Sequence, residues 1–275
     1  MRSRSGAEFR IFISKPSVPA PPGGFPVIYH LDANAAFATL ADALALQSAR
    51  PEATGVEPAV LVGIGYPTDR PLDPVRRTFD YTPDVDGARL APRPDGTAWP
   101  PTGGAAAFLG FIEEDLKPAI AAEFAIDPAR QALFGHSFGG LFALYALFHR
   151  PGAFRSIIAA SPSIWFGGGA ILDSERAFTA ALGEGHRDVR VMIAVGALEQ
   201  TLSARESAEP DGAKRAQWLA QNRMVDNARD MADRLGALAS RGVAVTYAEF
   251  PGETHVSVLP AVLSRALRFA LERSP

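Results

Sequence analysis

The stretch RQALFGHSFGGLFALYALFHRPG, residues 130–152, joins two apolar runs through a short turn that contains Ser137. The first run is short enough for a buried strand, and the second is typical of a helix. In that context the pattern G-x-S-x-G indicates a sharp, strained turn, with Gly135 and Gly139 kept small so that strand and helix can approach. A phosphate-binding loop would end in G-K-[ST], and this turn does not. The stretch therefore predicts that Ser137 is a nucleophile and not the hydroxyl cap of a plain turn.

Strand-like and helix-like segments alternate along the rest of the chain. Seven segments have the alternating or continuous apolar pattern of strands: FRIFIS, FPVIYHL, PAVLVGIGY, QALFG, FRSIIAAS, VRVMIAVG and VAVTYAEF. Helical patterns separate most of them, which is typical of crossover connections on a mostly parallel sheet. No repeat or linker divides the series. We therefore predict a single α/β domain over residues 1–275, with a doubly wound sheet flanked by helices.

Proline content and helical periodicity give more local expectations. The proline-rich segment 15–24 predicts a hairpin between the first two strands, and Pro118 predicts a bend or an early end in its helix. The segment QWLAQNRMVDNARDMADRLGALAS predicts one long helix. The segment at about 66–104 is rich in Pro, Asp, Arg and Gly and has no sustained period. Because it follows the carboxyl end of a strand, we expect it to be irregular and to line a pocket.

The composition is that of an ordinary globular protein. The chain has 27 basic and 30 acidic residues, a net charge of −3 and no basic run, so we expect no nucleic-acid partner. No stretch approaches the roughly 18 to 20 apolar residues of a membrane span. The absence of cysteine excludes disulfides and thiolate chemistry, and no pattern indicates a metal or an organic cofactor. The N-terminal alternation is a strand pattern and not a signal peptide, which predicts a cytoplasmic protein, with a periplasmic one as the alternative if the true start differs.

A serine nucleophile needs a base within hydrogen-bonding reach. His255, in FPGETHVSVLP, lies between the last strand and the last helix, and it comes after Ser137 and the candidate acids, as in hydrolases with the order Ser, acid, His. We therefore predict that His255 is the base. We expect His30 to be buried at a strand end and the ring of His136 to point away from Ser137. His149 is expected at the end of a helix, and His186 in a polar connection.

The base in turn needs a carboxylate that holds its tautomer and stabilises the imidazolium. Glu199 is the first carboxylate after the strand VRVMIAVG, so we favour it. The alternatives are a Ser–His dyad or a different carboxylate, namely Asp211, Asp226 or Glu253. We expect the oxyanion to bind the backbone amide of Phe138 and a second amide in HLDANAAF. That second donor is Ala33 or Asn34, with Asn34 favoured, and Asp32 is expected to order the turn.

Several motifs together resemble a known family. They are VIYHLDANAAF, VGIGYP, RRTFDYTP, GGAAAFLGFIEEDLKPAI, GHSFGGLFALYALF, ASPSIWF, MVDNARDMADRL and FPGETHVSVLP. They are similar to the putative-esterase branch of the α/β-hydrolase fold, and most of all to siderophore esterases of the enterobactin-hydrolase type. The resemblance implies the same roles for Ser137 and His255 and for the amides near Phe138 and Asn34. Some members have only a Ser–His dyad, and the family's usual glycine is Ala33 here.

The resemblance also implies a class of substrate. Ferric catecholate siderophores are bulky and strongly anionic, so their hydrolases are expected to present arginines and aromatic rings near the mouth of the site. Arg70, Arg76 and Arg77 lie in the irregular segment, and we favour Arg77 as a substrate-binding residue, with Trp165 stacking on a catechol ring. Solvated arginines and a Trp165 packed in the core are the alternatives.

These observations predict a serine carboxylic ester hydrolase that works through an acyl-enzyme. Its partner is a small-molecule ester, and the resemblance implies a siderophore ester. One alternative is an acyltransferase of the mycolyltransferase type, in which an alcohol replaces water in the second half-reaction. The other is a non-catalytic binding protein that keeps the hydrolase fold.

Overall fold

Seven strands form one sheet in the order β1-β3-β2-β4-β5-β6-β7. The structure, a computed structural model, describes residues 1–93, 95–183, 188–202 and 204–272, without the side chains of 204 and 205. The strands are β1 Arg10–Ser14, β2 Phe25–Leu31, β3 Val60–Gly65, β4 Ile126–His136, β5 Ser156–Ala160, β6 Val189–Gly196 and β7 Val243–Phe250. β1 runs antiparallel to β3 and all other neighbours are parallel. The predicted α/β class with a mostly parallel sheet is confirmed.

Helices connect the strands and cover both faces of the sheet. They are α1 Ala33–Ser48, α2 Pro51–Thr54, α3 Pro74–Tyr81, α4 Ala105–Phe111, α5 Lys117–Glu123, α6 Phe138–His149, α7 Phe166–Gly169, α8 Ile171–Ala181, α9 Ala204–Ser207, α10 Gly212–Asn222, α11 Met224–Gly236 and α12 Val258–Leu271. Short 3₁₀ turns lie at Gly87–Arg89 and Ala239–Arg241. Among the described residues, no helix is both long and apolar enough to cross a membrane.

Two apolar layers fill the space between the sheet and its helices. On one face the sheet packs against α4, α6, α8 and α11, and on the other against α1 and α12. Every residue of α6 from Gly139 to Phe148 is buried, which is why its sequence is apolar on all sides. This burial anchors the N-terminus of α6, and with it Ser137, at the centre of the sheet's carboxyl edge.

The predicted hairpin between β1 and β2 is wrong, because β1 pairs with β3. β2 is buried along its whole length and has parallel neighbours on both sides, β3 and β4. An apolar strand of this kind needs a neighbour on each edge, so β1 takes the outer edge of β3 instead. The proline-rich segment 15–24 therefore passes from the edge strand back across β3, and its composition alone does not distinguish that path from a tight hairpin.

The predicted long helix around 217–240 is also wrong, because Arg223 divides it into α10 and α11 with left-handed φ and ψ angles of 46° and 47°. The helix α11 has a buried stripe that includes Val225, Ala228, Ala232 and Leu235. The helix α10 instead turns Trp218 and Leu219 toward a pocket. The change of partner explains the break, since one straight helix could not face both surfaces.

Two further expectations concern proline. The segment 66–104 is not irregular throughout, because it contains α3, whose N-cap Asp73 accepts a hydrogen bond from the Arg76 amide at 3.0 Å. An Asp followed by a Pro at the first helical position was a usable signal for this helix. Around Pro118 the helix neither stops nor breaks, since a π turn at Ile112–Leu116 precedes it and joins α4 to α5. Proline has no amide hydrogen to donate, and a π turn lets the helix continue without that hydrogen bond.

His30 lies in β2 with 1% of its surface exposed, as expected, and neither ring nitrogen has a hydrogen-bond partner among the described residues. Burial lowers its pKa to about 4, against a smaller opposing effect of Asp32. Below pH 6.5 the unfolded chain therefore binds a proton that the folded chain refuses, and stability falls as the pH drops toward 4.

Replacing His30 with Phe should remove this effect. We expect the fall in the free energy of unfolding between pH 7 and pH 5 to become smaller by about 2 kcal/mol. Urea unfolding at the two pH values measures it, with His149→Gln at the exposed end of α6 as the control. An unchanged pH dependence in His30→Phe would show that His30 is protonated in the folded protein.

Candidate active site

Ser137 lies between the end of β4 and the start of α6, at the sharp turn that the sequence predicted. Its φ and ψ angles are 63° and −118°, a region that residues other than glycine rarely adopt. Three backbone hydrogen bonds hold the turn. The Ser137 amide donates to the Ala160 carbonyl at 2.9 Å, and the Ser137 carbonyl accepts from the amides of Leu141 and Ser163. Neighbouring strands and loops therefore impose a conformation that places the hydroxyl at the N-terminus of a helix.

The turn requires small residues, although not at both of the positions expected. A Cβ atom on Gly135 would lie 2.0 Å from the Gly139 carbonyl oxygen, and one on Gly140 would lie 2.7 Å from the Ala160 carbonyl oxygen. A Cβ on Gly139 itself would meet nothing closer than a Leu31 side-chain atom at 3.6 Å. The expectation that Gly139 must be small is therefore wrong, and Gly140 takes that place.

His255 and Glu199 form a hydrogen-bonded pair beside the elbow. The His255 ring donates from Nδ1 to Glu199 Oε2 over 2.6 Å, and Glu199 is only 2% exposed. The other oxygen, Oε1, accepts from the Ser161 hydroxyl at 2.5 Å and the Gly196 amide at 2.7 Å. Burial alone would raise the pKa of Glu199, but the hydrogen bonds from His255, Ser161 and Gly196 outweigh it and the pKa is lowered. Glu199 is therefore an anion that aligns the imidazole.

The alternative carboxylates lie elsewhere. Asp211 is the exposed N-cap of α10, Asp226 accepts from Gln200, and Glu253 accepts from the Ser257 hydroxyl. Within the described part of the chain, Glu199 is the only carboxylate hydrogen-bonded to His255.

Ser161 is a site residue that the sequence analysis missed. It is fully buried, has a positive φ of 44°, and its amide donates to the Ala194 carbonyl at 2.6 Å. Four described residues other than glycine have a positive φ. Three of them, Asp32, Ser137 and Ser161, lie in this site, and the fourth is Arg223 at the end of α10. In the sequence, the run ASPSIWF is recognisable only as a family motif, because a buried serine carries no pattern of its own.

The remaining histidines have structural places. His136 Nε2 donates to the His255 carbonyl at 2.8 Å, and the two ring centroids are 4.7 Å apart. Burial and, to a smaller extent, the neighbouring His255 lower the pKa of His136 to about 3, so its ring is neutral and supports the His255 loop. His149 stacks on Tyr145 with centroids 3.8 Å apart. His186 lies outside the described residues.

Within the described structure no hydrogen bond joins Ser137 to His255, although both side chains line the same pocket. In enzymes without ligand, the bond between nucleophile and base is often long and tightens when substrate binds. The ring of His255 is 41% exposed, so it has the freedom for such an adjustment.

The turn after β2 brings the start of α1 beside the elbow. The Asn34 side chain is fully used, since it accepts from the Tyr66 amide at 2.8 Å and donates to the carbonyls of Tyr66 and Thr68. Only the backbone of Asn34 is therefore free to contact a ligand. The first amides of a helix have no partner within it, and this leaves both Ala33 and Asn34 as candidate donors opposite Phe138.

The three arginines predicted to meet the substrate lie in different surroundings. Arg70 is exposed outside the pocket, and Arg76 packs over the rings of Phe9 and Tyr66. Arg77 lines the pocket, but its guanidinium faces Asp32 and its side chain is only 12% exposed.

The pocket itself has a volume of about 750 Å³ and a mainly apolar wall. Its wall includes Ser137, Glu199 and His255, and all three tryptophans of the chain, Trp99, Trp165 and Trp218. The Trp165 ring lies 6.2 Å from Trp99 and 5.5 Å from Trp218, between centroids. Trp165 therefore lies in the pocket wall, and its stacking on a catechol ring stays a prediction. Trp99 and Trp218 were missed because no local pattern assigned them to the site.

Two further arginines, Arg93 and Arg215, line this pocket. Arg93 pairs with Asp95 at 3.2 Å and Arg215 with Glu206 at 3.3 Å. Such solvent-accessible pairs contribute little to stability, so either arginine can exchange its partner for an anionic group of a ligand.

Comparison with known proteins identifies the family. The family described as "Putative esterase" matches residues 3–256. The chain belongs to this family. Ferri-bacillibactin esterase BesA from Bacillus subtilis is 46% identical over 96% of this chain and 84% of its own length. The siderophore triacetylfusarinine C esterase of Aspergillus fumigatus is 38% identical over 92% and 84%.

A solved structure supports the same assignment. The BES protein from Bacillus cereus superposes with a TM-score of 0.85 and 40% identity, over 98% of this chain and 94% of that one. The chain is thus an esterase of the α/β-hydrolase type, acting on a small-molecule ester, and the family resemblance drawn from the sequence motifs is confirmed.

The contrast between the elbow glycines is testable. Gly135→Ala should lower the free energy of unfolding by about 2 kcal/mol or more, because its Cβ overlaps a backbone oxygen that cannot move independently. Gly139→Ala should change it by less than about 1 kcal/mol, since its Cβ would make only ordinary van der Waals contacts and alanine suits a helix. Urea unfolding of both variants compares them, and equal effects would contradict the packing described.

Proposed function

We propose that this chain hydrolyses carboxylic esters through an acyl-enzyme on Ser137, with His255 as base and Glu199 as its orienting carboxylate. The observation that carries the proposal is the hydrogen-bonded series from Ser161 and Gly196 through Glu199 to His255, in a pocket that also exposes Ser137. A serine hydroxyl needs this kind of support to attack at neutral pH.

In the first half-reaction Ser137 Oγ bonds to the ester carbonyl carbon as its proton passes to His255 Nε2. Glu199 accepts from the Nδ1–H throughout, so the ring presents its unprotonated Nε2 to the serine and the resulting imidazolium is stabilised. The carbonyl oxygen becomes an anion that accepts from the Phe138 amide and an amide at Ala33 or Asn34. The carbon–oxygen bond to the alcohol then breaks, and the alcohol leaves with the proton from His255.

In the second half-reaction water attacks the acyl carbon while His255 takes one of its protons. The same amides hold the second oxyanion. When the bond to Ser137 Oγ breaks, the serine recovers the proton from His255 and the acid is released.

We further propose that the substrate is a siderophore ester. Two of the relatives named above are a ferri-bacillibactin esterase and a siderophore triacetylfusarinine C esterase, and the pocket supports the assignment independently. Its three tryptophans offer faces for aromatic groups, and Arg93 and Arg215 offer charge to an anionic ligand. The iron of a ferric siderophore would be part of the substrate.

The acyltransferase and the non-catalytic binding protein make different predictions. Transfer requires an added alcohol to capture the acyl group, so products consisting only of free acid exclude it. A binding protein would not react with a fluorophosphonate. We expect one stoichiometric adduct that is lost in Ser137→Ala.

Glu199→Gln should lower kcat for 4-nitrophenyl acetate by at least about a hundredfold with little change in KM, because an amide at this position favours the wrong His255 tautomer. Steady-state kinetics measures this, with thermal unfolding to show that the variant is folded. Glu253→Gln is the matched control, since that carboxylate bonds Ser257 and not His255. Turnover within about twofold of wild type in Glu199→Gln would indicate a Ser–His dyad.

The substrate assignment is tested by chromatography of the products from ferric enterobactin, ferric bacillibactin and 4-nitrophenyl acetate. We expect the ferric siderophores to be cleaved to linear acids by the wild type and not by Ser137→Ala. Trp218→Ala and Arg215→Gln should raise KM for the siderophores about three- to tenfold, the size of a stacking or charged contact, and leave the small ester within twofold. Arg176→Gln, at an exposed ion pair of α8, is the control. Activity on the nitrophenyl ester alone would overturn the siderophore assignment.

A further inference from the structure

An ion pair lies beside the two segments proposed to supply the oxyanion amides. Arg77, on α3, contacts both carboxylate oxygens of Asp32, from Nε at 3.1 and 3.2 Å and from Nη2 at 2.8 Å. The two side chains are 12% and 11% exposed. Asp32 immediately precedes α1, so the pair reaches the first of the two segments directly.

The same guanidinium also touches the elbow. It lies 5.7 Å from the centre of the Phe138 ring, and Nη2 lies 3.5 Å from the His136 carbonyl oxygen. Its other side faces the Tyr81 ring at 5.6 Å. Arg77 is therefore wedged between the start of α1 and the start of α6, where Phe138 supplies the other amide.

Asp32 is the N-cap of α1, yet its side chain does not cap the helix. An N-cap aspartate normally accepts from the second or third helical amide, which here belong to Asn34 and Ala35. Its backbone has a positive φ of 53°, and its amide donates to the Tyr81 hydroxyl at 3.2 Å. The carboxylate is thus turned away from the helix that it would ordinarily cap, toward Arg77.

Two consequences follow for an anion at this helix start. Because the carboxylate bonds Arg77, it does not occupy the amides of α1 that an oxyanion needs. Because the guanidinium neutralises it, a second negative charge can develop nearby without strong repulsion. Burial would lower the pKa of Arg77, but the contact with Asp32 outweighs it and the pKa is raised, so the guanidinium keeps its charge.

We propose that Arg77 is a positioning residue for the oxyanion hole: by holding and neutralising the Asp32 carboxylate, it keeps the first amides of α1 open to the developing oxyanion. The inference rests on the proposed function, because it concerns the same acyl transfer. It also gives Arg77 a different role from the substrate contact expected from the sequence, since its donors are directed at Asp32.

The test first removes the Arg77 guanidinium and then also removes the Asp32 carboxylate that it neutralises. Arg77→Gln should lower kcat for 4-nitrophenyl acetate at least tenfold while KM stays within about twofold. Adding Asp32→Gly should restore at least fivefold of that loss, because glycine adopts the positive φ freely and has no carboxylate to cap α1 or repel the oxyanion. A merely structural contact would not be rescued by removing its partner.

A second readout does not depend on turnover. A trifluoromethyl ketone forms a hemiketal when Ser137 Oγ adds to its carbonyl carbon and the serine proton passes to His255, leaving an oxyanion in the hole. Its affinity should fall in Arg77→Gln by about the same factor as kcat and recover with Asp32→Gly. Arg234→Gln is the matched control, since it breaks a bidentate pair with the buried Glu175 on α8 and α11 and should leave kcat and inhibitor affinity unchanged.

Three outcomes would overturn the inference. They are an unchanged kcat and inhibitor affinity in Arg77→Gln, no rescue by Asp32→Gly in a variant shown by circular dichroism to be folded, and an effect confined to KM for anionic esters. The last would make Arg77 a substrate contact. If the wild type shows no turnover or adduct that depends on Ser137, the proposed function fails as well, and this result is distinct from the other three.

Discussion

The site depends on the hydrogen bonds that the buried carboxylate of Glu199 accepts. This carboxylate is almost inaccessible to solvent, so its charge is tolerated only because three donors, from Ser161, Gly196 and His255, meet its two oxygens. These donors come from the end of β5, the end of β6 and the loop after β7. One charge therefore fixes the relative positions of three neighbouring strand ends, and the base can be aligned only if all three are in place.

The sheet stabilises the strained backbone conformations that this arrangement requires. Asp32, Ser137 and Ser161 follow β2, β4 and β5, and each adopts a positive φ that residues other than glycine avoid. The buried strands and the buried helix α6 fix the ends of these turns, so the strained residues all lie at the carboxyl edge of the sheet. That edge is where parallel sheets bind ligands, and the same edge here carries the elbow, the charge pair at Arg77 and the tryptophan-lined pocket.

Much of the fold was predictable because the signals are local. Six crossover strands and the strand–turn–helix around Ser137 follow from runs of apolar residues and small turn residues. The pairing of β1 with β3 and the break at Arg223 were not predictable in this way, because each depends on which surface a segment meets. α3 is a different case: its Asp73–Pro74 start is a local signal that could have located it.

By itself, the sequence determined the type of fold and the family to which the motifs belong, and it predicted the catalytic order Ser137, Glu199, His255. These properties are carried by patterns within a few residues of one another or by residue order. Only the tertiary structure decided that Ser161 supports Glu199, that Arg77 in the pocket wall pairs with Asp32, and that all three tryptophans line the same pocket. Those contacts join residues far apart in the chain, and their geometry depends on the twist and packing of the whole sheet, which no local pattern encodes.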